Sequence, residues 1–288
     1  MNNAIVLTNG ILTHSDAKTA HGLIRGTERF HIQGVVDSPA LAGQDAGMLL
    51  DGQHRDIPIY GSLDEALEAC PSLQYLIIGI ATVGGVLPDN MIAIIQQAIR
   101  AGLSIVNGLH DYLNERPEIT DLAATHHVEL IDVRRPKSRK DLHFWSGDIL
   151  NLTTPIIAVM GMDCAMGKRT TARLIKQACQ AQGMKAEMIY TGQTGWLQGG
   201  KYGFIFDSTL NDFVCGELEH AILSCAAAEN PDFILLEGQA SLRNPSGPCG
   251  LEFLISGMAK QVILVFAPKR VYFDNEEHWG KIPSVESE

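Results

Sequence analysis

The stretch Pro155 to Gln177, PIIAVMGMDCAMGKRTTARLIKQ, constrains the chain more than any other. It opens on a continuous apolar run, as a buried strand requires, and closes on the apolar spacing of a helix. Between the two, Gly161 and Gly167 bound a short turn that ends on Lys168. A strand that turns through glycines straight into a helix aims backbone N–H groups and the positive end of the helix dipole at one spot, and the lysine adds a full charge there. This is the architecture of a phosphate-binding P-loop, and it belongs in a mostly parallel α/β sheet.

Two departures from the common form, G-x-x-x-x-G-K-[ST], carry information. Five residues, Met162 to Met166, separate the glycines, and Lys168 is followed by Arg169 before Thr170 and Thr171. The longer spacing resembles the dethiobiotin synthetase type of P-loop, whose G-T-D start is echoed by Gly161, Met162 and Asp163. The expected diphosphate cradle is Gly161, Met162, Asp163, Cys164, Gly167, Lys168, Arg169, Thr170 and Thr171. A plain glycine turn capped by Asp163 or Thr170 would leave Lys168 unexplained. Arg169 stands where Mg²⁺-dependent loops place a hydroxyl ligand, and a guanidinium cannot coordinate a cation. Either Thr170 takes the metal through a shift of register, or a second positive charge fills the metal's place and suits a diphosphate held without chemistry at a γ-position, as in CoA. Cys164, beside the helix N-terminus, reads either as an acyl-accepting nucleophile or as a small buried residue; no histidine stands near it in sequence.

Further strands are expected at KAEMIYTG, DFILLEGQ and KQVILVFAP, with helices at KRTTARLIKQACQAQG and DFVCGELEHAILSCAAAE. Ligands of parallel sheets gather at the carboxyl ends of strands. One such end carries Thr191, Gln193 and Thr194 in TGQTGW, and another carries Glu237, Gln239, Ser241 and Arg243 in EGQASLRNP. Glu237 falls where P-loop proteins keep their second acid and is open to three uses: holding Mg²⁺, activating water, or taking a proton from an amine. Arg243 reads as a fork for a substrate carboxylate or as an ordinary surface arginine. Asp212 is a candidate catalytic acid and equally a candidate helix cap.

The first half alternates NAIVLTNG, FHIQGVVD, QYLIIGIA, LSIVNG and VELIDV with helical segments such as SLDEALEAC, where Ser62 and Glu65 form a capping signal, and PDNMIAIIQQAIRAG. The fold class expected is therefore α/β, a Rossmann-like parallel sheet domain followed by a P-loop NTPase-like α/β domain. The boundaries are drawn at 1–135, a linker at 136–154, and 155–288, and 288 residues suffice for two cores. The first turn lacks G-x-G-x-x-G, so the Rossmann half brings no dinucleotide site with it. Asp37, closing the second strand, reads as a turn former or as a ribose contact, and Gly84 and Gly85 read as a loop or as a place of close ligand approach. Arg134, Arg135, Lys137, Arg139 and Lys140 form a basic cluster around the linker, either a solvated connector or a patch for an anion such as a CoA 3′-phosphate.

A net charge of −11 argues against nucleic acid as a partner and leaves small molecules. The six cysteines form no C-x-x-C pair, and the histidines have no ligand spacing, so no metal site or disulfide framework is expected. Without a leader pattern or an apolar run of membrane length, the expected home is a reducing cytoplasm. The chain stops after HWGKIPSVESE, where a P-loop domain normally adds a helix and strand, so a shortened C-terminus is expected.

Taken together, GMDCAMGKRTTA, TGQTGW, DFVCGELE and LLEGQASLRNP, preceded by IPIYGSLDEAL, IIGIATVGG and NGLHDYL, resemble the bacterial two-domain family that includes D-glutamate N-acetyltransferases. The resemblance spans nearly the whole chain. It implies acetyl-CoA as donor and a D-amino acid, D-glutamate foremost, as acceptor. On that implication Gly161 to Thr171 hold the CoA diphosphate, Glu237 or Asp163 is the base, and Thr191, Gln193, Thr194, Gln239, Ser241 and Arg243 meet the amino acid. A homo-oligomer is expected. Two other classes compete: an ATP- and Mg²⁺-dependent ligase or kinase of the dethiobiotin synthetase type, with the metal on Thr170 and Glu237, and a nucleotide-sensing module that binds without turnover.

Overall fold

In the first unit, Met1–Arg135 together with Leu197–Gly199, six short apolar runs pair into one parallel sheet. The computed structural model that shows this describes residues 1–288, apart from the side chain of Val83. The strands are β1 (Asn2–Leu7), β2 (Phe30–Val36), β3 (Ile59–Tyr60), β4 (Tyr75–Ile78), β5 (Ser104–Asn107) and β6 (Leu130–Asp132), in the order β3-β2-β1-β4-β5-β6. Between them run α1 (Lys18–Arg25), α2 (Ala46–Asp51), α3 (Leu63–Ala69), α4 (Asp89–Arg100) and α5 (Pro117–His126). The middle strands are covered on both faces, which is why Ile5, Val6 and Leu7, and likewise Leu76, Ile77 and Ile78, are buried in unbroken runs without polar alternation. Strand order reverses at β1 and β4, the doubly wound Rossmann-like arrangement.

Local signals are realised where expected. Ser62 accepts from the Glu65 N–H, and Glu65 Oε2 reaches back to the N–H of Gly61 at 2.9 Å, so both groups serve the start of α3. Asp37 is buried and fastens the first loop: its Oδ2 accepts from Thr8 Oγ1 at 2.6 Å, Gly10 N at 2.9 Å and Leu12 N at 3.1 Å. Of its two readings, the turn-forming one matches these contacts.

The second unit, Pro136–Trp196 with Gly200–Glu288, is built on β7 (Ile156–Gly161), β8 (Ala186–Tyr190), β9 (Tyr202–Gly203), β10 (Phe233–Glu237) and β11 (Gln261–Val265). All pair in parallel in the order β11-β7-β10-β8-β9. The helices are α6 (Lys168–Ala181), α7 (Gln193–Leu197), α8 (Asn211–Glu229) and α9 (Leu251–Ile255). One face of the sheet packs Met160 and Leu236 against Leu218, Ile222 and Phe253, and the other packs Val159 and Leu235 against Ala172. Because β7 lies between β10 and β11, the loop that follows it is flanked by the loops that follow those two strands. Among the described residues no helix is long and apolar enough to cross a membrane.

Residues 136–154, expected as a linker, are clipped onto the second unit instead. The cause is a pair of buried carboxylates on α8, which must find donors because a buried charge without partners is costly. Glu217 accepts from Lys137 Nζ at 2.6 Å, His143 N at 3.0 Å and His143 Nδ1 at 2.8 Å. Glu219 accepts from the backbone of Gly147 at 2.9 Å and Ile149 at 3.2 Å. The His220 ring stacks on His143 at 3.6 Å. One member of the basic cluster, Lys137, is thereby committed to the protein's own acid.

This clip is sensitive to acid. Burial alone would push Glu217 up, but the Lys137 and His143 hydrogen bonds outweigh it and hold the carboxyl below its ordinary range. Burial, then the charge of His143, pushes His220 below the usual imidazole range. A depressed carboxyl contributes stability above its unfolded pKa and loses it as pH falls through the folded one; a depressed histidine costs stability once pH drops through its unfolded value. Thermal midpoints are therefore expected to fall from neutral pH toward the carboxylate range, and Glu217→Gln to flatten the lower part of that slope. An unchanged slope in the variant would remove Glu217 from this account.

Candidate functional site

The P-loop is where the two glycines place it. β7 ends at Gly161, and Gly167, at φ +96°, turns the chain into α6, whose first residue is Lys168. A side chain at Gly167 would be strained in this left-handed conformation. Lys168 is buried, its stem lies against Gly161, and Nζ donates to the carbonyls of Asp163 at 2.6 Å and Ala240 at 2.7 Å. Burial lowers its pKa, against the opposing pull of the Cys164, Asp163 and Glu237 charges.

Asp163, expected as a candidate base, is engaged on both carboxylate oxygens. Its side chain is fully buried, Oδ1 accepts from Asn244 Nδ2 at 2.8 Å, and Oδ2 accepts from Arg270 Nη1 at 3.0 Å and from the Asp274 N–H at 2.7 Å. Arg270 also donates to the Cys164 carbonyl at 2.6 Å. With both oxygens taken, Asp163 is a fastening that joins the P-loop to the segments following β10 and β11. The ligand atoms of Asp163, Cys164 and Asp274 lie within 4.8 Å of one another, but the Arg270 guanidinium already supplies the positive charge that a metal would bring. Cys164 is partly buried, with Sγ 3.8 Å from Asn244 Nδ2.

Glu237 ends β10 and is buried. Its Oε2 accepts from the Thr191 N–H at 3.1 Å, Thr191 Oγ1 donates to the Glu237 carbonyl at 2.7 Å, and Gln239 Nε2 donates to Thr191 Oγ1 at 2.8 Å. Across from it, Arg169 Nη1 lies 3.9 Å from Oε1. Burial pushes the Glu237 carboxyl up, and Arg169, the Thr191 N–H, Lys168 and the Gly192 N–H offset that only in part. The arrangement does not fit a divalent cation, because the residue after Lys168 turns a guanidinium toward the acid, and Thr170 shares no hydrogen bond with Glu237 among the described residues.

The glycines of TGQTG are there to let this loop close over the acid. A Cβ on Gly195 would stand 2.8 Å from Glu237 Oε2 and 2.4 Å from Tyr190 Cβ, too near for either to remain. Gly195→Ala is expected to displace α7 or the Glu237 side chain, lowering ligand binding with a loss of stability of about 1–3 kcal/mol. A denaturant melt and a binding isotherm matching those of the unaltered protein would show that the loop has slack.

Of the other expected residues, the structure gathers some and disperses others. Thr191 and Gln239 lie at Glu237, and Gln193 and Thr194 are buried in α7. Ser241 accepts from the Asn244 N–H at 3.0 Å and braces its own loop. Met162 is buried, while Thr170 and Thr171 are partly buried in the first turn of α6. Arg243 turns to the end of the chain, donating from Nη1 to Ser287 Oγ at 3.2 Å and from Nη2 to the Ser287 carbonyl, with Nε 3.4 Å from Glu288 Oε2. Its neighbour Asn244 is buried instead, donating from Nδ2 to Asp163 Oδ1 at 2.8 Å and to Asp274 Oδ2 at 3.1 Å. Asp212 is exposed in the first turn of α8 and, among the described residues, shares no hydrogen bond or ion pair with the P-loop or Glu237; neither is it the N-cap, which is Leu210. Asn244, Arg270 and Asp274 were not singled out from the sequence. Their one signal was position, just beyond strands β10 and β11.

Comparison with known proteins agrees with this construction. The P-loop domain of unknown function DUF1611_C matches residues 143–288, and the Rossmann-like domain of unknown function DUF1611_N matches residues 39–136. A D-glutamate N-acetyltransferase of Pseudoalteromonas sp is 30% identical over 212 residues, 73% of this chain and 61% of the relative. Another D-glutamate N-acetyltransferase, of Tritonibacter scottomollicae, is 29% identical over 228 residues, 78% of this chain and 65% of the relative. The matched region thus spans less than two thirds of the length of either curated relative. The crystal structure of a DUF1611 family protein from Anabaena variabilis ATCC 29413 is similar with a TM-score of 0.89 and 30% identity, covering 100% of this chain and 80% of that one. A Rossmann-like sheet followed by a P-loop sheet, each matched by its own half of one family, means that the chain belongs to the two-domain DUF1611 family.

Proposed function

We propose that this protein is an N-acetyltransferase that carries an acetyl group from acetyl-CoA to the amino group of a D-amino acid, with D-glutamate as the first candidate. The observation that carries this reading is Arg169 Nη1 turned toward Glu237 Oε1 at 3.9 Å, where a hydrolytic P-loop would keep a hydroxyl and its metal. A fixed guanidinium beside Lys168 suits a diphosphate that is gripped and left intact. The names of the two curated relatives support acetyl transfer as the chemistry.

In this reading the loop N–H groups and Lys168 hold the CoA diphosphate. The acceptor reaches the site as an ammonium, and Glu237 removes a proton from it. The freed amine attacks the thioester carbonyl, a C–N bond forms and the C–S bond breaks; the second proton lost by the nitrogen as the amide forms passes to the departing CoA thiolate. Burial serves this step by lifting the basicity of Glu237 toward that of its proton donor.

The test is a free-thiol release screen of D- and L-amino acids with acetyl-CoA, run beside a phosphate-release assay with ATP. Thiol release that depends on a D-amino acid is expected. Amino-acid-dependent phosphate release from ATP, with no thiol released from acetyl-CoA, would reject the reading in favour of a ligase or kinase.

A further inference from the structure

Beside the P-loop lies a cavity of about 290 Å³ that the diphosphate cradle and Glu237 leave unexplained. Met162 and Met166, both inside the P-loop, line it together with Phe266, from the segment after β11, and Ile282. We propose that this cavity receives the adenosine end of CoA, with Lys281 contacting the ribose 3′-phosphate. The inference rests on CoA being the diphosphate held at Lys168.

Three observations support it. The first is connection: the loop that would hold the diphosphate also supplies two walls of the cavity, so a base joined to that diphosphate through a single ribose is within reach. The second is size and lining. The volume lies just below the roughly 300–1,000 Å³ usual for ligand pockets, which suits a nucleoside and not a whole cofactor. Methionine sulfurs and an aromatic ring are polarizable surfaces suited to the faces and edges of a purine.

The third is charge. Two cations line the cavity, Arg270 and Lys281. Arg270 is already committed, to Asp163 Oδ2 at 3.0 Å and to the Cys164 carbonyl at 2.6 Å. Lys281 is exposed, and its ammonium has no hydrogen bond or ion pair among the described residues. In a chain of net charge −11, an ammonium left unneutralised at the rim of a cavity attracts an anion. CoA carries such an anion on its ribose, a phosphomonoester that ADP and ATP lack. The lysine therefore selects for a 3′-phosphorylated adenosine, a task distinct from that of the P-loop.

The experiment is calorimetric titration of the full chain with adenosine 3′,5′-bisphosphate and with 5′-AMP, which differ only in the 3′-phosphate. The unaltered protein is expected to prefer the bisphosphate by about tenfold, the scale of one charge-assisted contact at a partly exposed site. Lys281→Ala should abolish the preference and Lys281→Arg should keep it; circular dichroism of both variants checks the fold. Equal affinity of the unaltered protein for the two nucleotides, binding of neither, or a preference that survives Lys281→Ala would each overturn the proposal. A thiol-release assay comparing acetyl-CoA with acetyl-dephospho-CoA keeps the two readings apart. Thiol release without discrimination removes the cavity assignment and leaves acetyl transfer standing, whereas bisphosphate preference without thiol release removes acetyl transfer and leaves the cavity assignment standing.

Discussion

Glu237→Gln is expected to reduce acetyl transfer by about 10²–10⁴ in kcat, the usual worth of a positioned general base, while the protein stays folded. The amide is nearly isosteric and keeps an oxygen for the Thr191 N–H, so the loop over it should not move. What disappears is the ability to take a proton. CoA binding should hold or tighten, because Arg169 and Lys168 lose a nearby negative charge. A pH profile adds a second readout. The base works only when ionised, so activity rises as pH rises through the Glu237 pKa, and burial places that limb above the ordinary carboxyl range. Arg169 is the largest influence opposing burial, so Arg169→Met should carry the limb to still higher pH. A Glu237→Gln protein with near-normal kcat would transfer the proton to another group and withdraw the mechanism.

Asp163→Ala is expected to have the opposite signature, a loss of about 3–5 kcal/mol of stability, as when one partner of a buried ion pair is removed. The change strands Arg270 and frees the Asn244 and Asp274 donors in one stroke. Activity would be lost with it, because the loop carrying Lys168 is no longer tied to its neighbours. Denaturant unfolding monitored by circular dichroism measures this directly. An Asp163→Ala protein that melts like the parent yet transfers nothing would restore Asp163 as a chemical participant.

The P-loop was legible because everything that makes it is local: strand, glycines, lysine and helix are consecutive, and Arg169 announces its departure by standing next to Lys168. The Rossmann-like sheet was legible for a similar reason, as runs such as Ile5 to Leu7 and Leu76 to Ile78 show continuous burial in their apolar residues. Non-local assignments fared differently. Asp163 looked like a base because its partner Arg270 is 107 positions away, and no spacing rule reaches that far. Arg243 reads as a ligand fork from its chemistry, but its engagement with Ser287 and the burial of Asn244 against Asp163 are long-range contacts that no local pattern shows. The connector at 136–154 looked loose because the two acids that hold it, Glu217 and Glu219, lie on a helix that was read for Asp212.

The order in which the ribosome delivers these pieces sets when the phosphate site can exist. β7, which feeds the P-loop, pairs on one side with β10 and on the other with β11, both made later. The buried charge of Asp163 has no counter-ion until Arg270 emerges. A nascent chain that has just released Lys168 from the exit tunnel therefore has the motif without the cradle, and the grip on an anion comes only once Arg270 has followed it out. Assembly of the second unit is governed by long-range closure, which makes it the slower step and the one most exposed to misfolding while translation is still under way.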